Sequence, residues 1–193
     1  MLGLNRAAAP MWGWLRGRRA IEQSRMMQAF YAGLLPKGAL VFDIGANVGT
    51  MTQVFASLGA KVVAVEPNAD CARHIELSTS RATVEVLQAA VGEANGVAAL
   101  KVSDRKDKMS SLSAGWREAV TNENQGYQGQ WNREVTVPMV TLDALVGRYG
   151  MPAYIKVDVE GYEEQVLKGL SKCPPLVSFE FNRVFLEPAL RAL

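Results

Sequence analysis

Acidic side chains in this sequence lie where short apolar runs end. Asp43 stands inside "VFDIGANVGT", and Glu66 closes "KVVAVE". A second group stands in "YIKVDVEG", where Lys156 precedes Asp158 and Glu160. Such runs are typical of buried parallel strands, and open α/β sheets bind ligands beyond the carboxyl ends of their strands. The spacing therefore predicts one crevice that holds these carboxylates for binding and for proton transfer.

The turn after the first run differs from the dinucleotide-binding fingerprint. That fingerprint requires G-x-G-x-x-G, and the three positions hold Gly45, Asn47 and Thr50. The segment instead matches Asp-x-Gly-x-(Gly/Asn)-x-Gly, with Asp43 at its start and Gly49 at its end. Gly45 allows a sharp turn off the strand, Asn47 tolerates a left-handed backbone, and Gly49 allows close approach at a helix N-terminus. The segment indicates a nucleoside ligand.

The acid in this turn argues for a ligand without phosphate. A pyrophosphate binds backbone amides, and the carboxylate of Asp43 would compete with it. S-adenosylmethionine carries an ammonium group, a sulfonium and no phosphate, so it is favoured over a nicotinamide dinucleotide and an oxidoreductase. Glu66, about 20 residues past the first glycine, can accept hydrogen bonds from ribose hydroxyls. Ala90, near the end of the third strand, is small enough to pack on an adenine.

The second acidic group predicts chemistry at a strand end. Period-2 alternation puts Lys156 and Asp158 on one face of their strand, and the next strand places Glu180 near the same crevice. Asp158 or Glu160 would take the proton of a substrate hydroxyl, while Lys156 keeps the carboxylate ionised or binds substrate. A purely structural ion pair is the alternative. A divalent metal stays open, but with His74 as the one histidine no tight transition-metal site is expected.

Alternating elements are needed to position these residues. We predict helices at about 18–33, 48–58, 69–79, 141–150 and 162–170, and strands at 39–45, 61–66, 83–92, 153–161 and 175–181. Gly59 and Gly150 end helices, and Thr141 is an N-cap. This order predicts an α/β fold, a Rossmann-like doubly wound and mostly parallel sheet with helices on both faces.

Residues 93–132, which we call the insertion, break this alternation. "VAALKVS" and, just beyond it, "REVTVPMV" enclose a polar stretch rich in Ser, Gly, Asn and Gln. We predict a β-hairpin-like insertion whose long loop can act as a lid. Its aromatic residues Trp116, Tyr127 and Trp131 either stack on a sugar or anchor the loop.

Composition restricts the class of protein. The 193 residues are 49% hydrophobic and 21% charged, which predicts one globular domain (38–193) preceded by an arm and a packing helix (1–37). The net charge of +2 gives no reason to expect a nucleic-acid partner, and no run approaches the ~20 apolar residues of a membrane span. Cys71 and Cys173 are distant in sequence, so we expect reduced thiols in a cytoplasmic protein.

The basic N-terminal stretch leaves two interpretations open. Arg16, Arg18 and Arg19 follow closely on Trp12 and Trp14. They form either a frayed basic arm that leads into a helix or a contact with a membrane surface or an acidic partner, and the first is favoured.

Four segments together carry a family likeness: "VFDIGANVGT", "AVEPN", "TLDAL" and "IKVDVEGYEEQVLKG". They resemble the FkbM-type family of S-adenosylmethionine-dependent methyltransferases over roughly residues 38–182. The resemblance implies a class I methyltransferase fold and O-methylation of a small-molecule hydroxyl, often on a sugar or another natural product. It implies that the cofactor-facing residues are Asp43, Gly45, Asn47, Gly49 and Glu66. It also implies that Asp158, Glu160 and Gly161 line the reaction crevice, with the Ser-rich segment 109–112 closing over it.

The chain departs from this family at its end. The family's sheet normally continues past "SFEF" into a helix and a final antiparallel strand pair, whereas this chain stops at Leu193. We expect either a truncated form or an edge supplied by another chain, and hence a homo-oligomer formed through the open sheet edge. The alternative function is a non-catalytic nucleoside-binding module.

Overall fold

A computed structural model describes residues 22–103, 110–123, 131 and 133–180. The strands are β1 (Leu40–Ile44), β2 (Lys61–Val65), β3 (Val84–Leu87), β4 (Ala90–Val91), β5 (Gly96–Val102), β6 (Ser110–Ser111), β7 (Arg133–Val140), β8 (Tyr154–Val157) and β9 (Val177–Phe179). The helices are α1 (residues 22–32), α2 (Thr50–Ser57), α3 (Ala69–Ser78), α4 (Ala114–Glu123), α5 (Leu142–Tyr149) and α6 (Glu163–Lys168). The predictions for Arg16, Arg18, Arg19, Trp12, Trp14, Met109 and Tyr127 lie outside the described residues.

The main sheet is parallel, as the apolar runs predict. Its strand order is β3-β2-β1-β8-β9, and every neighbouring pair runs in the same direction. The segments "LVFDI" and "KVVAV" are almost entirely buried because helices cover the sheet on both faces. The carboxyl ends of β1, β2 and β8 consequently meet at one edge of the sheet.

Successive residues of β1 supply the two hydrophobic cores. Val41 packs in a cluster with Phe55 of α2 and Ile75 of α3, whereas Phe42 packs on the other face with Leu145 of α5. α1 joins the first of these layers, where Tyr31 meets the ring of Phe55 edge-on at 5.0 Å. This arrangement confirms the doubly wound Rossmann-like fold. Within the described ranges, no helix combines the length and apolar content that a bilayer crossing requires.

The second sheet confirms the hairpin and corrects one strand. β5 pairs antiparallel with β7, as the hairpin-like insertion predicts, and the sheet order is β4-β7-β5-β6. The predicted strand 83–92 is in fact two strands, because the backbone folds back where the amide of Ala89 donates to the carbonyl of Leu87 at 3.0 Å. β3 stays in the main sheet, and β4 pairs with the end of β7.

Helix α4 is the element that the sequence analysis did not predict. Its polar composition is typical of a loop, but Ser113 begins it by accepting a hydrogen bond from the Trp116 amide at 3.2 Å. Trp116 is buried at 5% exposure, so packing stabilises this short helix.

The helix ends predicted within the described residues agree with the structure to within about two residues, whereas the predicted start of the first helix, at about 18, lies outside them. Thr141 accepts the amide of Ala144 at 3.0 Å, and Gly59 and Gly150 follow their helices. β9 is the last strand within the described part, and residues 181–193 lie outside it, so the open sheet edge stays a prediction.

Candidate functional site

A cleft lies at the carboxyl ends of β1, β2 and β8. The space between its walls, including its open mouth, is about 640 Å³. Its walls include the predicted residues Gly45, Asn47, Glu66, Ala90, Asp158 and Glu160. Asp43, Gly49 and Lys156 are not among its lining residues and lie behind its walls.

Gly45 brings β1 against the end of β8. Its φ is 77°, and its amide donates to the carbonyl of Val65 at 2.9 Å. A Cβ added at this position would lie 1.8 Å from the carbonyl oxygen of Asp158, so a side chain cannot fit there. Asn47 follows with a φ of 49°, the left-handed conformation that the sequence predicts. Gly49 precedes α2, where an added Cβ would lie 2.9 Å from Ile75, so it permits close helix packing.

Gly45→Ala is expected to destabilise the fold by about 3 kcal/mol or more, because the left-handed backbone and the backbone clash act together. Gly147→Ala in α5 is the matched control, since an added Cβ there meets nothing within 4 Å. This control should stabilise the protein by about 0.5–1 kcal/mol. Urea unfolding of both variants measures the difference, and equal stabilities would contradict the close approach.

Glu66 ties the turn to the start of α3. Its carboxylate oxygens accept the amides of Asn47 at 2.8 Å and Asn68 at 2.9 Å. Asn68 in turn caps α3 by accepting the amide of Asp70 at 3.0 Å. Burial raises the pKa of Glu66 to about 7, although the two amides favour its ionised form. The carboxyl group faces the cleft with lone pairs still available for a ligand.

Asp43 belongs to a buried charged group behind the turn. It lies in register with Lys156, whose Nζ is 3.7 Å from Asp43 Oδ1. Thr52 of α2 donates to the other carboxylate oxygen at 2.6 Å. Burial raises the pKa of Asp43, and Lys156 and Thr52 act against that shift. The structure thus does not bring this carboxylate to the cleft, where the sequence analysis expected it to meet a ligand ammonium group.

Lys156 connects the buried group to the cleft. Its Nζ donates to Asp158 Oδ2 at 2.9 Å, the contact that the strand alternation predicts. Burial disfavours the ammonium, but Asp43 and Asp158 outweigh that effect and raise the pKa of Lys156. The ammonium therefore stays charged and forms an ion pair with the carboxyl group of Asp158. Glu180 directly follows β9, and its amide donates to the carbonyl of Val157 at 3.0 Å. A hydrogen bond shared with Asp158, followed by burial, raises the pKa of Glu180 to about 7.

Burial and neighbouring carboxyl groups disfavour the ionised form of Glu160. Burial, followed by the charges of Asp158 and Glu180, raises the pKa of Glu160 to about 8. At neutral pH its carboxyl group is thus mostly protonated, whereas Asp158 beside Lys156 is suited to accept a proton. No group of three or more His, Cys, Asp or Glu side chains within the described ranges is arranged to hold a metal ion.

Part of the insertion covers the cleft. Ser110, Ser111 and Leu112 line it, and Ser111 Oγ donates to the carbonyl of Glu160 at 2.8 Å. Trp116 is buried and packs edge-on against Trp131, with ring centroids 6.1 Å apart. Of the two roles considered from the sequence, stacking on a sugar and anchoring the loop, this packing favours anchoring for Trp116.

Sequence reasoning missed two residues that shape the site. Thr52, which binds Asp43, is the polar residue three positions before Phe55 on the buried face of α2. Glu163 accepts the amides of Val159 at 3.1 Å and Gly161 at 3.2 Å. The preference of carboxylates for the first turn of a helix was the available signal for Glu163.

Comparisons with known proteins find several that are similar to this chain. A crystal structure of methyltransferase FkbM from Methylobacillus flagellatus KT is similar with a TM-score of 0.42 and 17% identity, over 71% of this chain and 30% of that one. The hexuronic acid methyltransferase AglP of Haloferax volcanii is 30% identical over 144 residues, which are 72% of this chain and 53% of that relative. The chain therefore spans about half the length of AglP. The family model described as methyltransferase FkbM domain matches residues 43–189. That match includes both the glycine turn and the Lys156 strand, and the chain belongs to the FkbM methyltransferase family.

Proposed function

We propose that the chain is an S-adenosylmethionine-dependent O-methyltransferase for a hydroxyl group on a small molecule such as a sugar. One observation carries the cofactor assignment. Glu66, Asp158 and Glu160 line the cleft, and no Lys or Arg stands among the described lining residues. Such a set of acceptors suits a cofactor with a sulfonium, an ammonium and ribose hydroxyls. It does not suit the phosphates of a dinucleotide, so the residues present fit S-adenosylmethionine.

Each wall of the cleft has a role in this proposal. Glu66 would accept the ribose hydroxyls, since its carboxylate lies at the end of β2. Ala90 and Leu100 are buried and would pack on the adenine. Asp43 would act indirectly, by holding Lys156 and the turn rather than by touching the ligand. Gly49 would act in the same way, through the packing of α2.

Asp158 and Glu160, which follow β8, have different roles in the proposed reaction. A bound S-adenosylmethionine supplies an electrophilic methyl group. Asp158, which is hydrogen-bonded to Lys156 at 2.9 Å, would accept the proton of the acceptor hydroxyl. Glu160 would hold its own proton at neutral pH and donate a hydrogen bond that orients the acceptor, so that positioning carries much of the rate.

The proposal also covers the methyl acceptor, the cellular location and the oligomeric state. AglP is named for hexuronic acid, and we extend that substrate class, a sugar acid, to this chain. A cytoplasmic location, where Cys71 and Cys173 would serve as reduced thiols, is part of the proposal. A homo-oligomer formed through the edge of β9 completes the proposal.

Calorimetric titration with S-adenosylhomocysteine and with NAD tests the cofactor assignment. We expect binding of the first at micromolar concentration and none of the second, because the described lining residues offer acceptors and no cation to a phosphate. Binding of NAD without S-adenosylhomocysteine would overturn the assignment and favour an oxidoreductase.

The affinity for the cationic cofactor should rise with pH. The pKa of Glu66 is about 7 and that of Glu160 about 8, so both carboxyl groups become ionised between pH 6 and 9 and then attract the sulfonium. S-adenosylhomocysteine has the same ammonium and no sulfonium. The ratio of the two affinities should therefore shift towards S-adenosylmethionine by about three- to tenfold over this range.

Glu66→Gln is the control for this pH effect. It removes the titration at about 7 and should leave only the part that follows Glu160, at higher pH. A ratio that does not change with pH would show that these carboxyl groups do not face the sulfonium.

A further inference from the structure

The backbone around Glu160 is held from two sides. The carboxylate of Glu163 accepts the amide of Val159 at 3.1 Å and that of Gly161 at 3.2 Å. From the opposite side, Ser111 Oγ donates to the carbonyl of Glu160 at 2.8 Å. Hydrogen bonds thus fix both the amide and the carbonyl of the peptide group that joins Glu160 to Gly161, and the amide of the peptide group that joins residues 158 and 159.

This hold is needed because the conformation is unfavourable. Glu160 has a φ of 56°, and Gly161 follows with 89°. A left-handed backbone is uncommon for a residue with a long side chain and persists only where its surroundings enforce it. Such enforced residues cluster at active sites, and Glu160 is one of the residues that line the cleft.

The hydroxyl of Ser111 is committed to this contact. Ser111 is 1% exposed, and its Oγ accepts the amide of Ser113 at 2.9 Å while donating to Glu160. Its carbonyl accepts Arg117 Nη1 at 3.0 Å, which fixes the backbone of β6. The hydrogen bond to Glu160 joins residues 49 positions apart in the chain, so it connects the insertion to the loop that follows β8 (158–162).

Packing reinforces the link. A Cβ added at Gly161 would lie 2.5 Å from Trp116 Cβ, so α4 rests directly on this loop. The insertion can therefore act on Glu160 through its backbone as well as cover the cleft.

We propose that Ser111 and Glu163 are positioning residues that hold Glu160 in its left-handed conformation and so aim its carboxyl group at the acceptor. This inference rests on the proposed methyltransferase function. It assigns the insertion a task beyond covering the cleft, since the insertion sets the geometry of a group that orients the substrate.

Hydrogen exchange and kinetics of Ser111→Ala test the inference. Without the hydroxyl, the loop should open more often, and the amides of Val159 and Gly161 should exchange about tenfold faster or more. The value of kcat for methyl transfer should fall by about 10- to 100-fold, whereas the affinity for S-adenosylhomocysteine and the acceptor KM should stay within about threefold. Ser57→Ala removes the same kind of bond, from Ser57 Oγ to the carbonyl of Val54 at 2.7 Å, and should change neither quantity.

A second pair of variants keeps the test decisive if Ser111→Ala does not fold. Glu163→Gln retains an acceptor oxygen for the two amides and should preserve their protection and most of kcat. Glu163→Ala removes the acceptor and should lose both. Rescue by Gln distinguishes the hydrogen bonds from the charge of Glu163.

Each outcome has one meaning. Unchanged exchange in a folded Ser111→Ala protein overturns the inference, and so does faster exchange with unchanged kcat. Faster exchange in the variant, together with no methyl transfer by the unsubstituted protein, supports the hold on the loop and contradicts the proposed function instead.

Discussion

Replacing Asp158 by Asn is expected to lower kcat by about 10²- to 10⁴-fold, the range that loss of a general base produces. The variant keeps the shape of the side chain but cannot take the proton of the acceptor hydroxyl. Binding of S-adenosylhomocysteine should change by no more than about threefold, because Glu66 and the glycine turn are untouched. Steady-state kinetics and calorimetry on one preparation measure both quantities.

Glu160→Gln distinguishes the two carboxyl groups. Glu160, with a pKa of about 8, is mostly protonated at pH 7, so its amide replacement should be milder there than Asp158→Asn. Asp70→Asn, on the exposed face of α3, is the control and should behave as wild type. If Glu160→Gln proved the more damaging variant at neutral pH, the base would be Glu160 and our assignment of roles would be reversed.

Replacing Lys156 by Met is expected to destabilise the protein by about 3–5 kcal/mol, the usual effect of removing one partner of a buried ion pair. Asp43 is fully buried, and Lys156 is the cation that lies within 4 Å of it in the described structure. The charged carboxylate would be left inside the sheet with only Thr52 to stabilise it. Chemical unfolding measures the loss.

The pH dependence of this loss follows from the direction of the pKa shift. Burial already raises the pKa of Asp43, and removal of Lys156 raises it further above the unfolded value. The folded variant then binds a proton that the unfolded chain has released, so its stability is retained at low pH and lost as pH rises. The double variant Asp43→Asn with Lys156→Met should recover much of the stability at pH 8.

An exposed ion pair provides the control for Lys156. Lys168 lies 3.0 Å from Glu164 on α6 with half of its side chain exposed, and Lys168→Met should cost no more than about 0.5 kcal/mol. Equal losses of unfolding free energy for the two lysine variants would show that the buried ion pair stabilises the protein no more than the exposed one.

The main sheet and much of the cleft could be predicted from the sequence. The nearly continuous apolar runs of β1 and β2 are typical of strands in a parallel sheet that helices cover on both faces. In such a sheet the carboxyl ends of the strands lie at one edge. Gly45 and Glu66 follow those runs directly, and Asp158 directly follows the run of β8, so their place in the cleft was predictable. The contact of Lys156 with Asp158 follows from strand alternation alone.

The remaining features depend on contacts between distant segments. Asp43 is turned away from the cleft because Lys156 in β8 and Thr52 in α2 enclose it, and its own sequence neighbours do not encode this. The left-handed backbone of Glu160 likewise depends on Ser111, which is distant in the chain. A glutamate in isolation gives no signal for that conformation.

Transfer of a labelled methyl group from S-adenosylmethionine to a sugar hydroxyl is the most direct measurement of the central claim. With hexuronates and neutral hexoses as acceptors, we predict a labelled product from the wild-type chain and at least about a hundredfold less from Asp158→Asn. A protein that binds S-adenosylhomocysteine but labels none of these sugars would contradict the account and would indicate a non-catalytic nucleoside-binding module.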